Sequence, residues 1–186
     1  MNWFEARKRA LATLEEHIKA GRVDEDMLDL LRAINSRTDL FTTSSCSGRI
    51  QLYEAELPGM KFELRTIGKW HRPIEVGELV LNGDNLWMAV LPPILHVSAR
   101  DMRSALSFIS MARRAGFKRG GINSARDFKV NIEIQGTERM DVPLILGGRR
   151  VVPEDVLPNI VDRANRLLVR SKMRIKKLTE MLLGNL

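Results

Sequence analysis

Four segments of the chain repeat apolar residues at the three- and four-residue spacing of amphipathic helices. Gly21 ends the first, and Ser98 resembles the cap of the third, which Gly116 ends. Pro153 or Pro158 begins the fourth. The apolar positions are Phe4, Leu11, Leu14 and Ile18; Met27, Leu28, Leu31 and Ile34; Met102, Ala105, Leu106, Ile109 and Ala112; and Val156, Ile160, Ala164, Leu167 and Leu168. The pattern therefore predicts N-terminal, central and C-terminal helices.

Between these helices lie short runs that alternate, or stay apolar, as strands do. They cover residues 40–43, 50–53, 61–65, 86–91, 94–97, 128–134 and 142–146. Tight turns such as Gly147-Gly148 favour antiparallel pairing. No Gly-x-Gly-x-x-Gly motif follows a strand, so a Rossmann fold is not predicted. We predict a single α+β domain over residues 1–186, with a mostly antiparallel or mixed sheet and flanking helices.

The composition adds a strong positive charge to this picture. Thirty Lys and Arg against 23 Asp and Glu give a formal net charge of +7, which suits a polyanionic partner such as nucleic acid. The single cysteine excludes an internal disulfide framework and a multi-cysteine zinc site. No apolar run approaches the roughly 20 residues that cross a bilayer, and no signal-peptide pattern opens the chain. We expect a cytoplasmic protein without a membrane partner.

The closing helix is rich in cations, which have two interpretations. One is an ordinary solvated face, and the other is a surface for nucleic-acid phosphates. The cations are Arg163, Arg166, Arg170, Lys172, Arg174, Lys176 and Lys177.

The small residues between the predicted strands at 40–43 and 50–53 form a predicted loop with binding chemistry. It holds three serine hydroxyls, the only cysteine, Gly48 and Arg49. Glycine lets a ligand approach the backbone, and the planar fork of Arg49 suits phosphate or carboxylate. The alternative is an ordinary polar hairpin whose serines bond to their own backbone.

Three further positions carry candidate chemistry. Trp70, in a predicted loop from Gly68 to Pro73, can stack on a base or pack on the core. His96 lies in an apolar strand, where a histidine is more often a satisfied core residue than a catalyst. In the predicted loop from Phe117 to Ile122, two glycines free the backbone, Lys118 and Arg119 supply cations, and Phe117 can stack or anchor the loop.

These segments together carry a resemblance. Ser44-Ser45-Cys46-Ser47-Gly48-Arg49-Ile50 resembles the signature of the third wybutosine-synthesising protein family, tRNA methyltransferases of archaea and eukaryotes. Other segments agree in order: Gly68-Lys69-Trp70, Ile94-Leu95-His96-Val97, Ala115-Gly116-Phe117-Lys118-Arg119, Gly121-Ile122, Gly136-Thr137-Glu138 and Pro143-Leu144. Two positions depart from the family pattern. His71 follows Trp70 directly instead of several residues later, and Gly120 stands where the family carries serine.

The resemblance implies methyl transfer from S-adenosylmethionine to the N4 nitrogen of a wyosine-type base beside the anticodon of tRNA-Phe. Such transfer depends on alignment in a water-poor pocket more than on acid–base chemistry. His96 and Arg49 are the implied catalytic residues. The implied cofactor-binding residues are Ser44, Ser45, Cys46, Ser47, Gly48, Trp70, Phe117, Lys118, Gly121 and Ile122. No metal and no obligate protein partner is expected.

Two alternatives stay open. A noncatalytic RNA-binding module would use the same basic surface. A nucleophilic Cys46 would need a nearby base or positive end, and only Arg49 is close in sequence.

Overall fold

The computed structural model describes residues 2–59, 64–126 and 128–184. It has the predicted α+β architecture. The helices are α1 (Trp3–Lys19), α2 (Leu28–Asn35), α3 (Met102–Ala115) and α4 (Leu157–Leu182), with 3-10 turns at Glu25–Met27 and Val76–Glu78. The strands are β1 (Leu40–Cys46), β2 (Arg49–Glu54), β3 (Arg65–Trp70), β4 (Leu86–Leu91), β5 (Ile94–Ala99), β6 (Arg119–Arg126), β7 (Lys129–Gln135), β8 (Met140–Leu146) and β9 (Arg149–Arg150). Among the described residues, no helix has the length and apolar character of a membrane span.

The chain divides into two compact units, each built from segments that are distant in sequence. The first comprises Met1–Ser47, Pro93–Thr137 and Lys172–Leu186, and the second comprises Gly48–Pro92 and Glu138–Ser171. Helix α4 therefore contributes residues to both. A single domain over residues 1–186 stays a prediction.

The first unit contains a four-stranded antiparallel sheet in the order β1-β5-β7-β6. Side chains on one sheet face, such as Leu95, Val97 and Ile132, are buried in one apolar cluster with residues of α2 and α3. Burial of apolar surface, at about 25 cal/mol per Å², is the main force holding these layers together.

Helix α1 begins at a capping box. The Asn2 side chain accepts a hydrogen bond from the Glu5 N–H at 3.0 Å, and the Glu5 carboxylate accepts one from the Asn2 N–H at 3.1 Å. Trp3 is buried against Phe41, whereas Phe4 is 74% exposed. The predicted apolar position of Phe4 is therefore wrong, because the cap places the adjacent Trp3 toward the sheet.

The second unit contains a five-stranded antiparallel sheet in the order β3-β2-β4-β8-β9. Ile50, Met88 and Val90 share an apolar cluster with Val161 and Leu168 of α4. Pro158 is the second residue of α4, so it marks the start of the helix better than Pro153 does. Of the predicted apolar stripe, Ala164 and Leu168 are buried and Ile160 and Leu167 are partly buried, whereas Val156 precedes the helix and is 38% exposed.

Several local predictions are corrected. Residues 44–46, 68–70 and 119–122, which were predicted as loops, lie in β1, β3 and β6. Strands β1 and β2 belong to different sheets, so they do not form a hairpin. Asp101, not Ser98, caps α3, and its side chain accepts a hydrogen bond from the Ser104 N–H at 2.8 Å. The predicted strand at 61–65 lies largely outside the described residues.

Candidate active site

A β-bulge in β1 determines where the serine segment points. Thr42 pairs with Val97 and Ser44 with His96, so Thr43 is an extra residue. Because side chains alternate between faces along a strand, one extra residue reverses the alternation beyond it. Ser44 and Cys46 therefore lie on the same sheet face as His96, opposite the apolar face, although the hydrophobic pattern gave no sign of this switch.

His96 lies in a polar cluster on that face and is not a core residue, since 38% of its side chain is exposed. Its Nε2 atom is 3.7 Å from the Oε2 atom of Glu133, the residue opposite on β7. The Asn123 side-chain amide donates to the same Oε2 at 3.3 Å. The Thr43 hydroxyl donates to the His96 carbonyl at 3.4 Å. The imidazole is thus held beside a carboxylate while part of it stays accessible.

The strand register brings several predicted residues into rows across the first sheet. One row runs Ser44, His96, Glu133 and Gly121. The next runs Cys46, Ile94, Gln135 and Arg119, and Lys118 immediately precedes Arg119. With strands about 4.8 Å apart, each row spans roughly 14 Å. Ser44, Cys46, His96, Lys118 and Gly121 therefore converge on one end of one sheet.

Ser47 is fully buried and already bonded. Its N–H donates to Asp24 Oδ2 at 2.8 Å, and its hydroxyl oxygen accepts from Lys172 Nζ at 2.8 Å. Lys172 also pairs with Asp26. These charge-assisted bonds fix the end of the signature segment in the first unit.

The segment that leads to Gly120 is anchored in the core of the first unit. Phe117 is 1% exposed and belongs to the core cluster, so it anchors the chain. Gly120 has φ +93°, and a Cβ built there would lie 2.1 Å from the Glu133 carbonyl oxygen. Serine, which the resemblance places at this position, does not fit this backbone. The exposed side chain of Ile122 extends from the edge strand, 38% accessible.

In the second unit, Gly48 is buried and Arg49 opens β2. The Arg49 Nε–H donates to Gln51 Oε1 at 3.1 Å, and the Gln51 amide donates to the Thr66 hydroxyl at 3.0 Å. Gln51 is only 5% exposed. Part of the arginine fork is therefore held along the strand, and the residue as a whole is half-buried.

Trp70 packs mainly on protein. It lies opposite Ile50 on β2 and contacts the apolar cluster of the second unit. Its ring covers Gly68, where a built Cβ would lie 2.1 Å from the indole Cη2 atom. Arg49 shares the other sheet face with Gln51, so the register places Arg49 and Trp70 on opposite faces of this sheet.

A cleft of about 310 Å³ lies within the first unit beside Ser44 and Ser45. This volume falls within the range of small-molecule sites. The hydroxyl-bearing residues Thr13, Thr43, Ser44 and Ser45 line it, together with His17 and Arg22. The remaining lining residues are Ala10, Leu14, Val23, Leu31 and Thr42.

Comparison with known proteins identifies the family. The sequence profile of Methyltransferase TYW3 matches residues 5–184. The chain belongs to the methyltransferase TYW3 family. A Pyrococcus furiosus relative, tRNA(Phe) 7-((3-amino-3-carboxypropyl)-4-demethylwyosine(37)-N(4))-methyltransferase 1, is 41% identical over 95% of this chain and 93% of its own length. An Archaeoglobus fulgidus protein of the same name, without the final number, is 35% identical over 98% of this chain and 94% of its own length.

A solved structure agrees with this assignment. The PH1069 protein from Pyrococcus horikoshii is 40% identical, covers 97% of this chain and 96% of its own, and superposes with a TM-score of 0.92. The resemblance drawn from the signature segments is therefore confirmed. As a member of the methyltransferase TYW3 family, the chain is a tRNA-modifying enzyme that requires a methyl donor.

The sequence left several residues of this candidate site unidentified. Glu133 and Asn123 reach the His96 region only through strand register, which is a long-range property. Thr13, His17 and Arg22 reach the cleft through the packing of α1 and the turn after it. The one local signal was the polar alternation of β7, which predicts that Glu133 faces away from the core.

Proposed function

We propose that this chain methylates the N4 nitrogen of 7-(3-amino-3-carboxypropyl)-4-demethylwyosine at position 37 of tRNA-Phe, with S-adenosylmethionine as the methyl donor. The observation that carries the proposal is the full-length likeness to relatives named for this reaction, at 35–41% identity. The predicted cofactor, substrate and site residues are consistent with it.

The cleft beside Ser44 and Ser45 suits S-adenosylmethionine in size and in chemistry. That molecule combines a carboxylate, an amine, ribose hydroxyls and an adenine, and when bound it supplies an electrophilic methyl group on a sulfonium. We assign Arg22 to the carboxylate, since its planar fork binds carboxylates in pairs of hydrogen bonds. The hydroxyls of Thr13, Ser44 and Ser45 are assigned to the polar groups.

His96 and Arg49 keep their predicted catalytic roles in this proposal. His96, held beside Glu133, orients the substrate or accepts a proton from it. Arg49 binds an anionic group of the substrate through its planar guanidinium. Cys46, Gly48, Trp70, Gly121 and Ile122 stay predicted binding positions, while the buried Ser47 anchors the backbone beside Cys46 and the buried Phe117 anchors the turn before β6.

The decisive experiment incubates the purified protein with methyl-labelled S-adenosylmethionine and tRNA-Phe bearing the demethylated base. Label is expected on N4 of that base, which nucleoside mass spectrometry locates. Unmodified tRNA-Phe is the matched control and is expected to stay unlabelled. Transfer of label to another nucleoside, or no transfer, would contradict the proposal.

Isothermal calorimetry with S-adenosylmethionine tests the cleft. Arg22→Gln is expected to weaken cofactor binding about tenfold, the value of one charge-assisted contact. Lys19→Gln removes an exposed charge from the end of α1, outside the cleft, and is expected to leave the affinity unchanged. Equal affinities of the two variants would place the cofactor elsewhere. RNA binding by the wild type without any heat from the cofactor would instead support a noncatalytic module.

A further inference from the structure

The positive charge of the protein is concentrated in one stretch of the chain. Residues 102–126 contain six Lys and Arg and no Asp or Glu. Four of these cations surround the turn between α3 and β6, and we name Arg113, Arg114, Lys118 and Arg119 the α3–β6 basic surface. All four side chains are exposed. Within the part of the chain that the structure describes, none of them pairs with a carboxylate.

Helix α4 has more cations but most of them are neutralised. Arg166 pairs with Asp162 at 2.9 Å, Arg170 with Glu138 at 3.4 Å and Lys176 with Glu180 at 3.9 Å. Lys172 pairs with Asp26, and Arg174 donates to the Gly116 carbonyl and the Thr137 hydroxyl. A cation that is already paired must break that interaction before it binds a phosphate, so it contributes less to the affinity for nucleic acid. The basic composition of α4 is therefore largely structural.

The backbone of the α3–β6 turn suits phosphate as well. Strand β6 is an edge of the four-stranded sheet and pairs only with β7 in the described residues. Backbone N–H groups on an edge are free to bind phosphate oxygens, and phosphate contacts fix the register of a bound nucleic acid. Arg113 and Arg119 are six residues apart, so their Cα atoms are separated by about 20 Å at most. This distance covers a few consecutive phosphates.

Two ordinary explanations account for only part of this charge. Cations in the last turn of a helix stabilise its dipole, which explains Arg113 and Arg114. Charges on an edge strand prevent aggregation, which explains Arg119. Neither explanation requires that a 25-residue stretch contain no Asp or Glu. Binding to a phosphate backbone does favour a stretch without acidic residues, because carboxylates repel phosphates.

We propose that the α3–β6 basic surface, and not α4, binds the phosphate backbone of the tRNA substrate. This inference rests on the proposed function, because it takes tRNA as the partner. It also moves Lys118 from the cofactor, where the sequence placed it, to the RNA. The partner is recognised there by charge and backbone geometry, so the surface contributes affinity without base specificity.

The test compares double variants that each remove two positive charges. Arg113→Gln with Arg114→Gln and Lys118→Gln with Arg119→Gln change the proposed surface. Arg149→Gln with Arg150→Gln is the matched control, since these are also neighbouring exposed arginines. Arg163→Gln with Lys177→Gln samples the cations of α4 that have no carboxylate partner among the described residues. Affinity for tRNA-Phe is measured by fluorescence anisotropy over a range of salt concentrations.

The slope of log Kd against log salt is the diagnostic quantity. Removing one contact between a cation and a phosphate lowers this slope by about one. We expect the first two variants to lower the slope by about two each, and the control and α4 variants to keep the wild-type slope. Equal slopes in all four variants, or a larger fall in the α4 variant, would overturn the proposal.

A second readout separates this inference from the proposed function. Cofactor affinity of the Arg113→Gln, Arg114→Gln variant, measured by calorimetry, is expected to equal that of the wild type. If the wild type methylates the substrate but the surface variants bind tRNA normally, only the inference fails. If the wild type binds no tRNA at all, the proposed function fails with it.

Discussion

The two units of the chain differ in charge and in how they use their sheets. The first unit contains 19 Lys and Arg against 12 Asp and Glu, a formal charge of +7, whereas the second contains 11 of each and is neutral. The first sheet carries polar side chains such as His96, Asn131 and Glu133 on the face opposite its main core. Both sheets have an apolar cluster on each face, but the one opposite the first sheet's main core is confined to one end, where Phe41 of β1 packs with Trp3 and Ala6 of α1.

This difference shows where the chain buries less apolar surface. A sheet face that carries polar groups contributes little of the apolar burial that stabilises a fold. The first sheet retains that contribution on its second face only around Phe41, whereas the second sheet retains it along β4, with Met88 in one cluster and Ala89 in the other. Most of the candidate chemistry, and the whole net charge, accordingly belong to the first unit. The overall charge of +7 therefore describes one unit and not the average surface.

The largest expected effect is that of a glycine in the first sheet. Gly120→Ala places a Cβ 2.1 Å from a backbone oxygen at positive φ, so strands β6 and β7 must separate. We expect a loss of about 3 kcal/mol in the free energy of unfolding. Gly121→Ala is the matched control, since a Cβ there has nothing within 4 Å, and we expect a change below about 1 kcal/mol. Chemical denaturation measures both.

The corresponding glycine of the second sheet sharpens the contrast. Gly68→Ala meets the ring of Trp70, which can move, so the expected loss is only about 1 to 2 kcal/mol. If Gly68→Ala costs more than Gly120→Ala, the ring of Trp70 is held more rigidly than the backbone of the first sheet.

The next prediction concerns turnover, and it tests whether the neutral unit takes part in chemistry. Arg49→Ala is expected to lower turnover about 100-fold, the typical cost of removing a catalytic hydrogen-bond donor. It also leaves the buried Gln51 without one partner, at about 1 kcal/mol of stability. Arg65→Ala, an exposed arginine on the neighbouring strand, is the control and is expected to keep full turnover. Normal turnover in Arg49→Ala would confine the chemistry to the first unit.

Local patterns were enough to predict much of the fold. The three-to-four spacing located the four helices, and the alternation of residues 128–134 located β7, which buries Val130, Ile132 and Ile134. These signals depend only on neighbours along the chain. The family also followed from ordered short segments that span most of the chain.

The geometry of the site could not be predicted, because it depends on pairing between distant strands. One bulged residue, Thr43, decides that Ser44 faces His96, and no local preference specifies it. The need for glycine at position 120 arises from the approach of Glu133 on the next strand. Trp70 illustrates the same limit, since only the sheet shows that its ring covers Gly68.

The smallest expected effect compares one ion pair from each unit. In the first unit, burial raises the pKa of Asp39. Hydrogen bonds from Arg37 and Ser104, together with the Arg37 charge, lower it by more, so the pKa of Asp39 lies below its usual range. A lowered pKa stabilises the fold above the unfolded value of about 3.9, and the contribution is lost as the pH falls through the folded value. In the second unit, Arg65 pairs with Glu54 but is 69% exposed.

We therefore expect Arg37→Gln to lower the free energy of unfolding by about 0.5 to 1 kcal/mol at pH 7, after allowance for solvent screening. The difference from the wild type is expected to shrink below about pH 4, because Asp39 then becomes protonated in both proteins. Arg65→Gln is expected to show no measurable change at any pH, since water screens its pair. Denaturation curves at pH 7 and pH 3 measure both variants. A pH-independent loss in Arg37→Gln would mean that Arg37 acts through packing and not through the Asp39 charge.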